Sequence, residues 1–277
     1  MNLFQAAILG AVEGLTEFLP VSSTGHLILT AHAMGLSGDT MSAFEVVIQL
    51  GALLAVVWLY RERVLELLVG AVRPHPRGRA LLVKLTVAFL PAALVGLAAH
   101  KWIKGHLFGP RPVAVALVLG GIALLVAARW LARRRDGDRS RLGLDEITVA
   151  MALAIGLAQC LSLWPGTSRA MVTLLAAMLL GATPVAAAEF SFLLALPTLG
   201  AATVFDLLQN WEALTGSGLG GALAVGLVTS AVVAVLAISG FLKFVTTRGL
   251  APFGWYRIAV GIAVIAMLWN HPAGGAP

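Results

Sequence analysis

Glu13 and Glu17 stand four residues apart in a mainly apolar stretch, and Pro20-Val21-Ser22-Ser23-Thr24-Gly25-His26 follows at once. Four-residue spacing puts the two carboxylates on one helical face. In apolar surroundings they repel each other and resist desolvation, so they persist if a cation joins them or if one holds a proton. An all-oxygen pair suits a hard divalent cation, Mg²⁺ or Ca²⁺, although a paired carboxylate could equally serve as general base. The hydroxyls of Ser22, Ser23 and Thr24 at a helix start would cap its free amides. Those amides and the helix dipole form an anion site suited to phosphate. His26 lies three residues beyond Ser23, within reach of it if the helix begins there, and such a pair can supply a nucleophile with its base or a proton for a leaving group.

A second constellation is Trp164-Pro165-Gly166-Thr167-Ser168-Arg169, flanked by charge-free runs over 147–168 and 170–188. An ionisable group at such depth marks a functional site by default; the duller reading is an arginine snorkelling from a helix end. Thr167, Ser168 and Arg169 would bring two hydroxyls and a guanidinium shaped for bidentate phosphate contacts. Taken singly, a serine here is first a cap, and Glu45 and Glu189 near helix starts read as structural. Taken together, the residues describe a phosphate-handling site. In that site Glu13 and Glu17 hold a metal, Arg169 and the helix starts clamp phosphate, Ser23 attacks and His26 handles the proton, with water or His26 as alternative attacking groups.

The elements that must carry these residues are membrane helices. Hydrophobic residues make up 59% and charged residues 12% of the 277, against about 25% charged in soluble domains. The stretch 213–242 has no Asp, Glu, Lys or Arg and exceeds the ~20 residues of a spanning helix. The runs are continuous rather than alternating, which excludes barrel strands. The first apolar stretch lacks a basic leader and carries two glutamates, so it is expected to remain in the mature protein. Cys160 is the sole cysteine, which excludes an internal disulfide.

The net charge of +6 raises nucleic acid as a partner, but its distribution argues against it. Eighteen of nineteen Lys and Arg fall in four clusters at the ends of apolar runs: 61–84, 101–111, 129–141 and 243–257, the last holding Lys243, Arg248 and Arg257. The positive-inside rule makes the first and third clusters cytoplasmic and the Asp206–Gly218 connection outer. Paired glycines at 120–121 and 220–221 read as close helix packing.

Two halves resemble each other. Leu9–Thr16 aligns with Ile155–Ser162, Pro20–Ser23 with Pro165–Ser168 after a one-residue slip, and Ala43-Phe44-Glu45 with Ala187-Ala188-Glu189, at offsets between 144 and 146 residues. The charge map runs the halves in opposite directions, an arrangement that places sites near the midplane where broken helices meet. The expected fold is therefore an all-α polytopic membrane protein of two inverted-topology repeats, 1–138 and 139–277. Each repeat has a re-entrant helix hairpin (3–36 and 145–181) plus three transmembrane helices, at 43–60, 81–99, 112–131 and at 186–206, 220–243, 253–270. Inverted repeats with intramembrane carboxylates also fit a transporter; Arg169 and the Ser-rich turn favour an anionic, phosphate-bearing substrate.

Glu13-Gly14-Leu15-Thr16-Glu17-Phe18-Leu19-Pro20-Val21-Ser22-Ser23-Thr24-Gly25-His26 resembles the first signature of the bacterial undecaprenyl-diphosphatases, the bacitracin-resistance family, and Pro165–Arg169 resembles their second. Ala188-Glu189-Phe190-Ser191-Phe192 is similar to a further shared stretch. The resemblance implies hydrolysis of undecaprenyl diphosphate to the monophosphate, recycling the lipid carrier of cell-wall synthesis on the outer face of the bacterial cytoplasmic membrane. It implies a polyprenyl diphosphate lipid substrate, Mg²⁺ or Ca²⁺, and importance for Glu13, Glu17, Ser23, His26 and Arg169; a homodimer is left open. The family's second motif usually continues Ser-Gly after the arginine, where this chain has Ala170-Met171. Another lipid-phosphatase superfamily shares Ser-Arg but needs a downstream histidine, and none occurs between Arg169 and His271.

Overall fold

The computed structural model describes residues 1–36, 38–133, 142–209 and 220–270. Eleven α-helices are described: α1 (Leu3–Thr16), α2 (Ser23–Ala33), α3 (Asp39–Leu59), α4 (Arg61–Val72), α5 (Pro76–His106), α6 (Pro110–Arg133), α7 (Val149–Gln159), α8 (Arg169–Leu179), α9 (Pro184–Gln209), α10 (Gly220–Arg248) and α11 (Ala251–Asn270). Short 3₁₀ turns at Leu144–Glu146 and Cys160–Leu163 flank α7, and no strand longer than an isolated bridge occurs among the described residues. Helix starts follow from local chemistry. Asn2 and Gln5 form a reciprocal capping box on α1, and Pro76, Pro110 and Pro184 open α5, α6 and α9, where proline's missing N–H costs nothing.

Helices α5, α6, α9 and α10 are long and apolar enough to cross a membrane, and α3 joins them as the apolar arm of a pair bent by 89° against α4. The chain is a multi-pass helical membrane protein. Helix α11, through Met267, falls with α1, α7 and α8 among the shorter apolar helices. From the sequence, the segment between the expected spans 43–60 and 81–99 is a connection. It is instead α4, whose exposed Leu65, Leu68 and Val72 alternate with Arg63 and Glu66, a pattern too charged to read as a span. Arg134, Arg135, Arg139 and Arg141 of the third basic cluster, residues 210–218 of the outer connection, and His271 lie outside the described residues.

The short helices pair as hairpins, α1 with α2 and α7 with α8, and each hairpin packs on the opposite half of the chain: α1 along α10, α7 along α5. Small residues allow the approach. A Cβ on Gly10 would meet the Gly226 carbonyl, one on Gly14 the Ser230 carbonyl, and one on Gly156 the Ala88 carbonyl, as in small-residue membrane interfaces. The pair at 120–121 packs closely as expected, Gly121 against Gly254 on α11. The pair at 220–221 does not: Gly220 has nothing within 4 Å, and a Cβ on Gly221 would lie 3.6 Å from Leu3. One further expectation is corrected here. Arg257, grouped above with the basic residues at the ends of apolar runs, is fully buried within α11 at 0% exposure.

Candidate active site

The site begins with two helix ends. Helix α1 closes on Glu17, whose N–H donates to the Glu13 carbonyl at 2.9 Å, so the two carboxylates stack one turn apart. Both are buried, at 1% and 6% exposure. After Pro20 and Val21 the chain turns at Ser22, which adopts φ 75° and caps α2 by accepting from the Gly25 N–H. In the other hairpin Ser168 adopts φ 72° and caps α8 by accepting from the Met171 N–H at 3.2 Å. These are the two non-glycine residues with positive φ among those described, a conformation that costs about 1–3 kcal/mol and clusters at functional sites. The caps put Ser23 and Arg169 at the same first helical position of their hairpins, 146 residues apart. The one-residue slip in the sequence alignment therefore disappears at the helix starts.

From these positions the side chains converge. Arg169 Nη2 donates to Glu17 Oε1 at 3.1 Å, and both side chains are under a tenth exposed. Ser23 Oγ donates to Glu17 Oε2. Arg169 is held from behind by the Ser191 carbonyl at 2.9 Å and by the Phe18 ring, 5.8 Å from the guanidinium carbon. Thr173 Oγ1 accepts from or donates to Ser191 Oγ at 2.6 Å, joining α8 to α9 behind the arginine. Phe18 is fixed in turn edge-on against Phe192, at 5.4 Å.

His26 lies on the first turn of α2 but is not bonded to Ser23. Its Nδ1 donates to the Ser22 carbonyl at 2.8 Å, which leaves Nε2 of a neutral ring to accept from Tyr256 OH at 2.7 Å. The helix begins where the sequence reading required, yet the serine's proton goes to Glu17 and both imidazole nitrogens are otherwise engaged. Thr24 and Thr167 are half-buried beside the two caps, with the Thr167 N–H donating to the Trp164 carbonyl. Every predicted site residue thus lies in or beside the two turns, which meet through the Arg169–Glu17 pair.

A family profile described as bacitracin resistance protein BacA matches residues 6–263. The chain belongs to this family. Among relatives of the BacA family, a protein named undecaprenyl-diphosphatase from Sorangium cellulosum is 54% identical over 96% of this chain and 86% of its own length. Undecaprenyl-diphosphatase 1 of Chromobacterium violaceum is 45% identical, with 97% of each chain covered. An undecaprenyl-diphosphatase of Thermoanaerobacter is 44% identical over 96% of this chain.

Within this BacA-family site, Glu13 Oε1 is buried and makes no hydrogen bond, whereas both Glu17 oxygens are engaged. A buried carboxylate oxygen without a donor fits a metal ligand. No group of three or more His, Cys, Asp or Glu suited to a metal occurs among the described residues. Two carboxylates are nevertheless compatible with Mg²⁺, which takes one or two of them and completes its shell with water and substrate phosphate.

Four polar residues of the site were missed by the sequence reading: Thr173, Ser191, Tyr256 and Arg257. Thr173 looks like an ordinary helix hydroxyl, and Ser191 lies in the Ala188–Phe192 stretch quoted above, where its type alone does not mark it as a partner of Arg169. Arg257 did carry one. It is the sole charged residue between Ala251 and Asn270, the same signal that singled out Arg169. Ala170 and Met171, which depart from the usual Ser-Gly, are both buried, at 3% and 4% exposure.

Proposed function

We propose that this chain hydrolyses undecaprenyl diphosphate to undecaprenyl phosphate and inorganic phosphate, recycling the lipid carrier for peptidoglycan synthesis and conferring bacitracin resistance. The observation that carries the reading is the Arg169–Glu17–Ser23 chain of contacts, in which a guanidinium and a hydroxyl at two helix starts share one buried carboxylate. Those three groups can supply what the activity named for the relatives calls on: a clamp for phosphate oxygens, an attacking group and a base.

In this reading Arg169 and the starts of α2 and α8, with Ser22, Thr24, Thr167 and Ser168, receive the diphosphate. Ser23 Oγ attacks the terminal phosphorus while Glu17 takes its proton, and the bond from that phosphorus to the bridging oxygen breaks. The lipid monophosphate departs with the bridging electrons. Water then attacks the phosphoserine, releasing inorganic phosphate and restoring the hydroxyl. His26, fixed by Ser22 and Tyr256, stands beside this centre to exchange protons with the departing groups. Glu13 and Glu17 would hold Mg²⁺ or Ca²⁺, which supplies neutralisation of phosphate charge when bound.

The architecture supporting this is a pair of inverted repeats whose re-entrant hairpins meet at the midplane. The matched caps at Ser22 and Ser168 and the exchanged packing of α1 on α10 and α7 on α5 favour it. Placing the basic clusters at 61–84 and 129–141 in the cytoplasm opens the site to the outer side of the cytoplasmic membrane. Expression of the chain in bacteria sensitive to bacitracin tests the reading. Tolerance should rise with the parent protein and not with Arg169→Ala; no rise with a parent protein present in the membrane would contradict it.

A further inference from the structure

Arg257 is the largest fully buried side chain among the described residues, and the chemistry above leaves it unused. Its Nη1 donates to the Pro20 carbonyl at 3.2 Å, and its Nη2 donates to the Gly166 carbonyl at 2.8 Å and to the Ala116 carbonyl at 3.2 Å. Among the described residues no carboxylate forms an ion pair with it. A buried guanidinium without a counter-charge is costly, so its compensation must come from these carbonyls.

The identity of the acceptors gives the arrangement its meaning. Pro20 and Gly166 occupy the same place in the two turns, each two residues ahead of the capping serine, Ser22 or Ser168. Turns that interrupt helices at membrane depth leave carbonyls without helical partners, and such backbone survives there only when something else satisfies it. One guanidinium does so for both turns at once. The site for it is built into α6, where Gly120 leaves the space that Nη2 fills; a Cβ at that position would overlap the guanidinium. One residue before Arg257 on α11, Tyr256 OH donates to His26 Nε2.

We propose that Arg257 is a positioning residue that clamps the two turns together and so fixes Ser23 and Glu17 relative to Arg169. Its planar fork holds three acceptors in set directions, which a lysine ammonium on a flexible stem does not reproduce. The kinetic consequence rests on the phosphatase reading; the structural consequence does not.

Two substitutions in the full chain, reconstituted in lipid, test this: Arg257→Lys and Gly120→Ala. In an ordinary helix interior Gly→Ala is stabilising, so Gly120→Ala should be harmless unless displacing Nη2 matters. The clamp predicts that amides of 21–24 and 167–170 exchange faster together in both variants, by about tenfold or more, as expected for losing a charge-assisted hydrogen bond. It predicts that kcat on undecaprenyl diphosphate falls by about 10²-fold with KM little changed, as for misplacement of reacting groups. Exchange at both turns and kcat within twofold of the parent would overturn the proposal, and so would faster exchange confined to α6 and α11. If Arg257→Lys fails to assemble, Gly120→Ala decides. A parent protein that folds but hydrolyses nothing would sink the phosphatase reading, while the exchange measurement would still decide the clamp.

Discussion

Arg169 and Glu17 are joined by a 3.1 Å ion pair across 152 residues of sequence, with both side chains nearly excluded from solvent. Each is the partner that makes burial of the other tolerable, since removing one member of such a pair leaves an uncompensated charge. The pair also ties the hairpin of α1 and α2, which carries Ser23, to the hairpin of α7 and α8.

Substitutions at the two ends of this pair should not add. Glu17→Ala and Arg169→Ala are each expected to lower kcat by about 10²–10³-fold, and the double substitution should be little worse than the more severe single one, as for residues acting as a unit. Steady-state kinetics on the four proteins checks this. Simple multiplication of the two losses would mean that the residues act separately.

The Ser23 hydroxyl donates to Glu17 rather than to His26, and this orders the expected losses. Ser23→Ala should abolish phosphate release, while His26→Ala should leave measurable turnover, because Glu17, the proposed base, still accepts from Ser23. If Ser23→Ala kept most of the activity while His26→Ala lost it, the serine nucleophile would have to be abandoned.

Glu13 has a buried oxygen without a hydrogen-bond donor, so its role should surface in metal dependence. Chelation is expected to stop turnover and added Mg²⁺ or Ca²⁺ to restore it. Glu13→Gln should raise the metal concentration needed for half-maximal rate by about tenfold, the range for a weakened ligand shell. An unchanged metal requirement in Glu13→Gln would remove Glu13 from the metal site.

Helix packing gives a stability contrast that is independent of catalysis. Gly10→Ala places a methyl group against the Gly226 carbonyl, whereas the new methyl in Gly221→Ala has its nearest neighbour 3.6 Å away. Overpacking typically costs about 1–3 kcal/mol, so Gly10→Ala should lower Tm clearly and Gly221→Ala should leave it unchanged or raise it. Equal Tm values for both variants would contradict the close α1–α10 contact.

Much of this molecule was legible in the sequence because membrane burial makes polar residues conspicuous. Glu13, Glu17 and Arg169 stood out against charge-free runs, and the structure brings Glu17 and Arg169 into contact. The capping serines were legible too, since hydroxyls after proline read as helix starts. What resisted reading were choices of partner. Sequence spacing allowed Ser23 to face His26, but the end of α1 brings Glu17 nearer, and α11 delivers Tyr256 to the imidazole. Such long-range contacts, separated by 230 residues for His26 and Tyr256, leave no local pattern. Arg257 was misplaced for a different reason. It lies nine residues after Arg248, and that proximity groups it with basic residues at the ends of apolar runs, although one charge in an apolar helix calls for the opposite reading. Helix α4 went unseen because its alternating charges and leucines resemble a connection until the bend at Tyr60 lays it against α5.

The most direct test is phosphate release from undecaprenyl diphosphate by the purified, lipid-reconstituted protein, with and without chelator. One inorganic phosphate per lipid is expected, with undecaprenyl phosphate as the remaining product and release stopped by chelator. No release under either condition, from protein shown to be folded, would contradict a phosphatase built on Glu17, Ser23 and Arg169 and would favour a carrier for anionic lipid in its place.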